Sequence, residues 1–562
     1  MDHVTGPSSV DELYRHLTAI TREVRLSGTP EEARAFDYIE EQLTGWGYEV
    51  KRYQCDAYTG YPLTASLSMI APHHQRFDAN GYSLSPVTAL PGLEGDLIYA
   101  GAGSEADLGI YDIPGKILLT DGMATPEKVL NAARAGAIGH IHSSGERIYE
   151  MCISPIWGTP TPETAGLLPA IPSIGITNVV AQTLRAALES GPVRVNLSTQ
   201  PYLGWSTLPI LTADLPGEEE DTYVLFSGHI DSWHLGVMDN GTANATQLEV
   251  ARLLSEQRST LKRGIRIAFW SGHSHARYAG STWYADTFHD DIATRCVCHV
   301  NIDSVGAKGA VLLDQAPSMA ETFSFLKDIL AHSAGTKLTY QRISRSSDQS
   351  FWGHGVPTVL AALSYQDTGA ETAGGADRPL FGMGNLGWWW HTPEDTLDKI
   401  DLEFLKRDCN IYYATLHSLL TSRRIPFDPA AGLLEMAHAL DAYGHESDGK
   451  LPVSDLSEKA RALADRAGRE RLSNLDDAAT NDLISDLLRV IIPVNFTEHG
   501  PYGHDLALGT EPLPGLKSTR TLATLDPEST EYRLLRTKLV RERNRISGAL
   551  RHIDRILLGA GL

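Results

Sequence analysis

The sequence predicts an α/β protein: a mixed, mostly parallel sheet flanked by helices, with an inserted β-rich domain and a C-terminal helical domain. Three observations carry this. Between 210 and 423, β-rich apolar runs alternate with helical patterns, which implies parallel strands joined through helices. Between about 90 and 200 the texture becomes short strands punctuated by Gly and Pro, and beyond Pro426 the pattern is mostly helical. At 562 residues the chain is too long for one core. The expected division is an α/β core over 1–89 and 201–424, an inserted domain over 90–200, and a helical region over 425–562 that is a candidate for dimerisation.

Taken in order, residues 9–27 read as a helix, and Thr29-Pro30-Glu31-Glu32 starts a second with a capping Thr, Pro at the first helical position and Glu32 closing a capping box. Gly45 or Gly47 ends it before a strand at Tyr48 to Tyr53. In the inserted region GDLIYAG, GKILLTDG, AGAIGHIHSS, IPSIGIT and VRVNLST read as strands, interrupted by one helical stretch, PEKVLNAARAG. His140 and His142 alternate on one strand, a surface or interior-filling pair. Further on come the strand VCHVNI, a helix near 318–334, the strand PTVLAAL and a helix over 402–421. Leu535, Leu539, Ile546, Leu550, Ile553 and Leu557 form the apolar stripe of a long final helix, which needs a partner surface, either its own bundle or a second copy.

Composition narrows the function. Hydrophobic content of 42% and charged content of 21% are those of a soluble globular protein. A formal charge of −22 argues against a nucleic-acid partner, since phosphate binding needs a basic face. No run approaches the length of a membrane span, and MDHVTGPSSVDELYRHL lacks the parts of a secretory signal. Five scattered cysteines suit a reducing compartment, so a cytoplasmic location is expected. Cys296 and Cys298, flanking Val297, are expected to share one strand face as core thiols. The GWWW run at 387–390 and Trp352 offer either core or an apolar pocket wall.

The chemistry gathers where strands end. From Tyr223 to Ser281 the chain reads strand, loop, helix, strand, loop, and the loops hold His229, Asp231, His234, Asp239, His273 and His275. Asp303 follows the next strand and His391 precedes the last core helix. Loops at the carboxyl edge of an α/β sheet bind ligands. Imidazole and carboxylate together suit zinc or another divalent first-row metal, and a carboxylate bridging two cations makes a water-activating two-metal site.

The order HIDSW, MDNGT, a loop ending AGS, NIDSVG and WHTPEDT resembles the zinc aminopeptidase and carboxypeptidase family that includes bacterial leucyl aminopeptidases, glutamate carboxypeptidase II and the transferrin receptor. GKILLTDG and AARAGAIGHIHSS look like that family's protease-associated domain, and VNFTEHGPYGHD with LPGL resembles its helical dimerisation domain, implying a homodimer. The resemblance implies that His229, Asp239 and Asp303 hold one metal, and that Asp239 bridges to a second held by His391. It also implies that Asp231 orients the His229 ring. Zinc is the expected metal, with manganese or iron as alternatives, and the expected partner is a small or short peptide-like substrate.

The second loop departs from the pattern. Family peptidases carry Glu-Glu there, a general base and a metal ligand; counting back from Gly280-Ser281 puts Ser274 at the base and His275 at the ligand. Histidine can ligate, but serine is no base at neutral pH. Candidates to replace the base are His273, His234 and Asp348, and Tyr365 is a candidate to polarise a substrate oxygen. Two readings follow: a metal-dependent hydrolase with a rebuilt site acting on a C–N bond, not a conventional peptidase, or a non-catalytic binding or assembly protein of the transferrin-receptor kind.

Overall fold

The computed structural model describes residues 6–217, 221–367, 386–472 and 474–562. Twelve strands are present among them: β1 Glu49–Ala71, β2 Gln75–Phe77, β3 Asn80–Gly81, β4 Leu93–Tyr99, β5 Ile117–Asp121, β6 Gly139–Ser143, β7 Ser173–Ile176, β8 Arg194–Leu215, β9 Tyr223–His229, β10 Gly264–Trp270, β11 Cys296–Asn301 and β12 Thr358–Leu360. The sheet order is β12-β11-β9-β10-β8-β4-β5-β6-β7-β3. β12, β11, β9 and β10 are mutually parallel, and β8 joins β10 antiparallel. This is the mixed, mostly parallel sheet with flanking helices that the sequence predicts, followed by a helical C-terminal region. β9 lies between β11 and β10 and is buried throughout, as its near-continuous apolar run requires.

The organising surprise is a ribbon. β1 and β8 pair antiparallel almost end to end, from Glu49 opposite Asp214 to Ala71 opposite Arg194. One end of β8 borders β10 and the other borders β4. One pair of strands thus runs from the α/β core into the parallel strands β4 to β7. The strand expected at Tyr48 to Tyr53 is only the start of β1, because Gly60, Pro62 and the Thr/Ser-rich stretch after it hide the continuation.

Other local expectations are corrected. The first helix spans Val10–Ile20, and Thr21 to Thr29 leave it as turns and extended chain. Thr29 caps the helix Pro30–Gly45, accepting from the Glu32 N–H, but Glu32 accepts from Gly28 N–H rather than closing the box on Thr29. The inserted region holds a further helix, Asn178–Ser190, as well as Pro126–Arg134. His140 and His142 are fully buried, their ring centroids 3.8 Å apart, with Thr120 Oγ1 2.8 Å from His140 Nε2. Cys296 and Cys298 do not share a face. A register shift at Val297 pairs Cys296 with Tyr223 and Cys298 with Val224, whose side chains point to opposite sides of β9. All five cysteines are free and buried.

The final helix, Thr530–Gly559, buries Leu539, Ile546, Leu550, Ile553 and Leu557 in the same chain, against the helices Ser454–Arg466 and Asp477–Phe496. Among the described residues no helix is long and apolar enough to cross a membrane.

Candidate metal centre

The centre forms where β9, β10 and β11 end side by side. β9 delivers His229, and after a tight loop the chain reaches Asp239 at a break in helical geometry (φ −111°, ψ 88°) before the helix Ala243–Ser255. Two features fix this loop. Gly236 sits at φ 50°, and a Cβ there would meet Asp239 O at 2.3 Å, so the turn admits only glycine. Buried Arg25 donates from Nε to Ile230 O (2.8 Å) and from its terminal nitrogens to Leu235 O (2.9 Å) and Gly236 O (3.0 Å).

Asp239 stands between two imidazoles. Its Oδ1 lies 3.1 Å from His229 Nε2 and its Oδ2 lies 2.9 Å from His391 Nε2. His229 Nδ1 is 2.9 Å from Asp231 O, and His391 Nδ1 is 2.7 Å from Glu150 O. A carbonyl only accepts, so both Nδ1 atoms donate and both neutral rings turn Nε2 lone pairs toward the carboxylate. Lone pairs facing a carboxylate across about 3 Å need a cation between them. A proton on a ring is one answer. Burial alone would lower the His229 pKa, but Asp239 and Asp303 outweigh it and hold it well above the ordinary value. A metal ion is the other, and the donor set fits one. Asp303, after β11, places Oδ1 3.8 Å from His229 Nε2 and accepts from Ser304 Oγ (3.1 Å) and Ser347 Oγ (3.0 Å). Among the described residues, His229, His273 and Asp303 bring one donor atom each within 4.8 Å of one another.

His273, not His275, therefore joins the cluster. Its ring stacks on His229 at 3.7 Å and its Nδ1 lies 2.8 Å from Asp348 Oδ2. Asp348 is fully buried and also accepts from Ser281 Oγ (2.8 Å). His275 turns its Nδ1 to Ser27, 3.2 Å from the backbone nitrogen and 2.9 Å from Oγ. Ser274 is buried, its N–H donating 2.8 Å to Asp231 Oδ2. Asp231 also accepts from the His273 N–H (3.2 Å) and Ser27 Oγ (2.9 Å), so its carboxylate holds the second loop, while the His229 ring is held by the Asp231 carbonyl. Gly280 closes that loop: a Cβ there would meet Ser271 O at 2.4 Å.

The other expected residues divide. Tyr365 lines the cleft; burial, then Asp303, push its phenol pKa up. His234 sits apart, its Nε2 3.3 Å from Glu150 Oε1. Trp390 lines the cleft and stacks on His391 at 3.3 Å, whereas Trp352 is core against Phe496. Four contributors escaped the sequence reading. Asp395, in the HTPED stretch, accepts from Met238 N–H (2.8 Å) and Asp239 N–H (3.0 Å), and burial pushes its pKa to about 7. Ser27 and Arg25 come from the segment read as helix, where no local signal marks them. Glu150 comes from the inserted region and also donates its N–H to His391 O (2.9 Å), so that region walls the site.

The cleft encloses about 910 Å³ of space open to solvent. Five of the nine non-glycine residues with positive φ among the described residues line it: Arg277, Tyr278, Ser304, Ser347 and His391. Each such conformation costs about 1–3 kcal/mol, so the surrounding contacts concentrate strain here. Ser304 N–H, for instance, is held by Asn240 Oδ1 at 3.0 Å.

Residues 211–415 match a family model described as peptidase family M28. A maize protein named probable glutamate carboxypeptidase VP8 is 21% identical over 361 residues, covering 53% of this chain and 50% of its own length. Aminopeptidase YwaD of Bacillus subtilis is 24% identical over 359 residues, covering 61% of this chain and 70% of its own. The chain thus spans about half the length of the maize relative. In fold, a zinc aminopeptidase structure from Bacillus subtilis superposes with a TM-score of 0.55 at 20% identity, covering 74% of this chain and 96% of that one. The segment 211–415, with its histidines and carboxylates at the sheet edge, thus matches the peptidase family M28 model and shares its fold with a zinc aminopeptidase.

Proposed function

We propose that the protein is a metal-dependent hydrolase that cleaves a C–N bond of a small amide or peptide-like substrate, with an active site rebuilt around His273. The observation that supports it above all is Asp239, with one oxygen toward each of two imidazole nitrogens, at 3.1 and 2.9 Å. His229, Asp239 and Asp303 would hold one ion, and Asp239 with His391 a second. Zinc suits this nitrogen and oxygen set, with manganese or iron as alternatives. When bound, the metal polarises the scissile carbonyl and makes water a better nucleophile.

The chain's own groups supply the rest. Asp348 fixes the proton of His273 on Nδ1, leaving Nε2 to accept a proton from the attacking water and return it to the leaving nitrogen. This is the work of the missing Glu, moved one position back in the loop: Ser274 and His275 face Asp231 and Ser27, and His273 faces the cleft. Tyr365, which lines the same cleft, would donate to a substrate oxygen, and Trp390 would give the cleft an apolar wall. The inserted region, which resembles a protease-associated domain, positions His391 through Glu150.

Metal analysis of the purified full-length chain tests the reading. At least one equivalent should be retained after supplementation with zinc, manganese or iron, and Asp239→Asn should lose it with the fold intact by circular dichroism. Less than one equivalent in the wild type would sink the proposal. A screen of small amides, ureas and peptides then identifies the bond cleaved.

A further inference from the structure

Arg277 is the only lysine or arginine among the described residues that line the cleft. Its Nε donates to Ser154 O (3.1 Å), one terminal nitrogen donates to Cys152 O, and the other approaches Tyr278 Oη at 3.5 Å. Among the described residues no Asp or Glu pairs with it. The chain has 70 acidic residues against 48 Lys and Arg, yet none of the described carboxylates pairs with this guanidinium. A guanidinium carries five N–H donors in a planar fork, and three contacts leave two of them for a ligand.

Its placement is enforced. Arg277 and Tyr278 take successive positive φ angles of 44° and 69°, and the Gly158 N–H holds Arg277 O at 2.6 Å. Tyr278 packs edge-on against His273 at 4.8 Å and accepts from the Ser347 N–H at 3.1 Å. Arg277 therefore stands on the loop that carries His273, in a cleft also lined by apolar Met151, Ile343, Leu386 and Trp390.

We infer that Arg277 receives a carboxylate of the substrate, which makes the substrate class an amide or short peptide with a free carboxylate beside an apolar side chain. This rests on the hydrolase reading of the same cleft. The competing role is a clamp that fastens the 152–154 loop to the core.

Calorimetric titration of the zinc-supplemented full-length chain separates them, using N-acetyl-leucine and N-acetyl-leucinamide as probes. The wild type should bind the acid about 10–100-fold more tightly than the amide, the range for a charge-assisted pair. Arg277→Met should abolish that preference without weakening the amide, and Arg277→Lys should restore part of it. The α-amide of N-acetyl-glutamate, which carries only a side-chain carboxylate, tells which of the two carboxylate sources is read. The inference is overturned if the wild type shows no preference, if Arg277→Met or, should that variant misfold, Arg277→Lys leaves the preference intact, or if both probes weaken equally. A preference that follows Arg277 in a chain that turns over no amide would leave the carboxylate site standing and remove the hydrolase reading.

Discussion

His273 Nδ1 lies 2.8 Å from Asp348 Oδ2, although 75 residues separate them. The carboxylate is fully buried and has a second donor in Ser281 Oγ, so its orientation is fixed before any substrate arrives. The pair sets the tautomer of an imidazole whose other nitrogen is free at the centre.

That relationship predicts the effect of Asp348→Asn. An amide there presents either an acceptor or a donor to His273 and loses the charge that supports a protonated ring. Turnover should fall about 10²–10⁴-fold, the usual worth of an acid/base group, with metal content unchanged. Loss of metal in parallel would make His273 a ligand instead, as its place in the donor cluster also permits.

Asp395 leads to a second prediction. It satisfies the N–H groups of Met238 and Asp239 at the point where helical hydrogen bonding breaks. Asp395→Ala leaves both buried donors unpaired, at about 1–3 kcal/mol each, and frees the Asp239 backbone. Metal affinity should drop about 10–100-fold, as for other groups that orient ligands. Competition with a chromogenic chelator measures it, and an unchanged affinity would show that Asp239 is held by other contacts.

Stability should also depend on pH in a particular window. His16, His140 and His299 are buried, and burial foremost pushes each pKa from about 6.5 to about 3. Their folded pKa is depressed, so the unfolded chain binds more protons below pH 6.5. Their contribution is present above that pH and is lost progressively as pH falls toward 3. Each adds up to about 1.4 kcal/mol per pH unit to the slope. Denaturant titrations of wild type and His140→Gln between pH 7 and 5 should differ in slope, the variant being flatter; equal slopes would mean that His140 does not titrate on unfolding.

Much was legible in the sequence alone. The β-rich run before His229, the carboxylates and histidines at strand ends, and the break after IRIAFW place a metal-type donor set at one sheet edge, because period and strand ends are local properties of the chain. The final helix's apolar stripe was equally local. What tertiary structure decided depends on contacts distant in sequence. Ser27 and Asp231 turn His275 away and leave His273 facing the cleft, a choice that spacing from Gly280 and Ser281 assigns the other way. A register shift separates Cys296 from Cys298, and the β1 and β8 ribbon brings Glu150 of the inserted region to His391. Residue type and spacing fix which donors reach the edge. Which nitrogen each presents, and to what, is set by hydrogen bonds from segments that no local pattern connects.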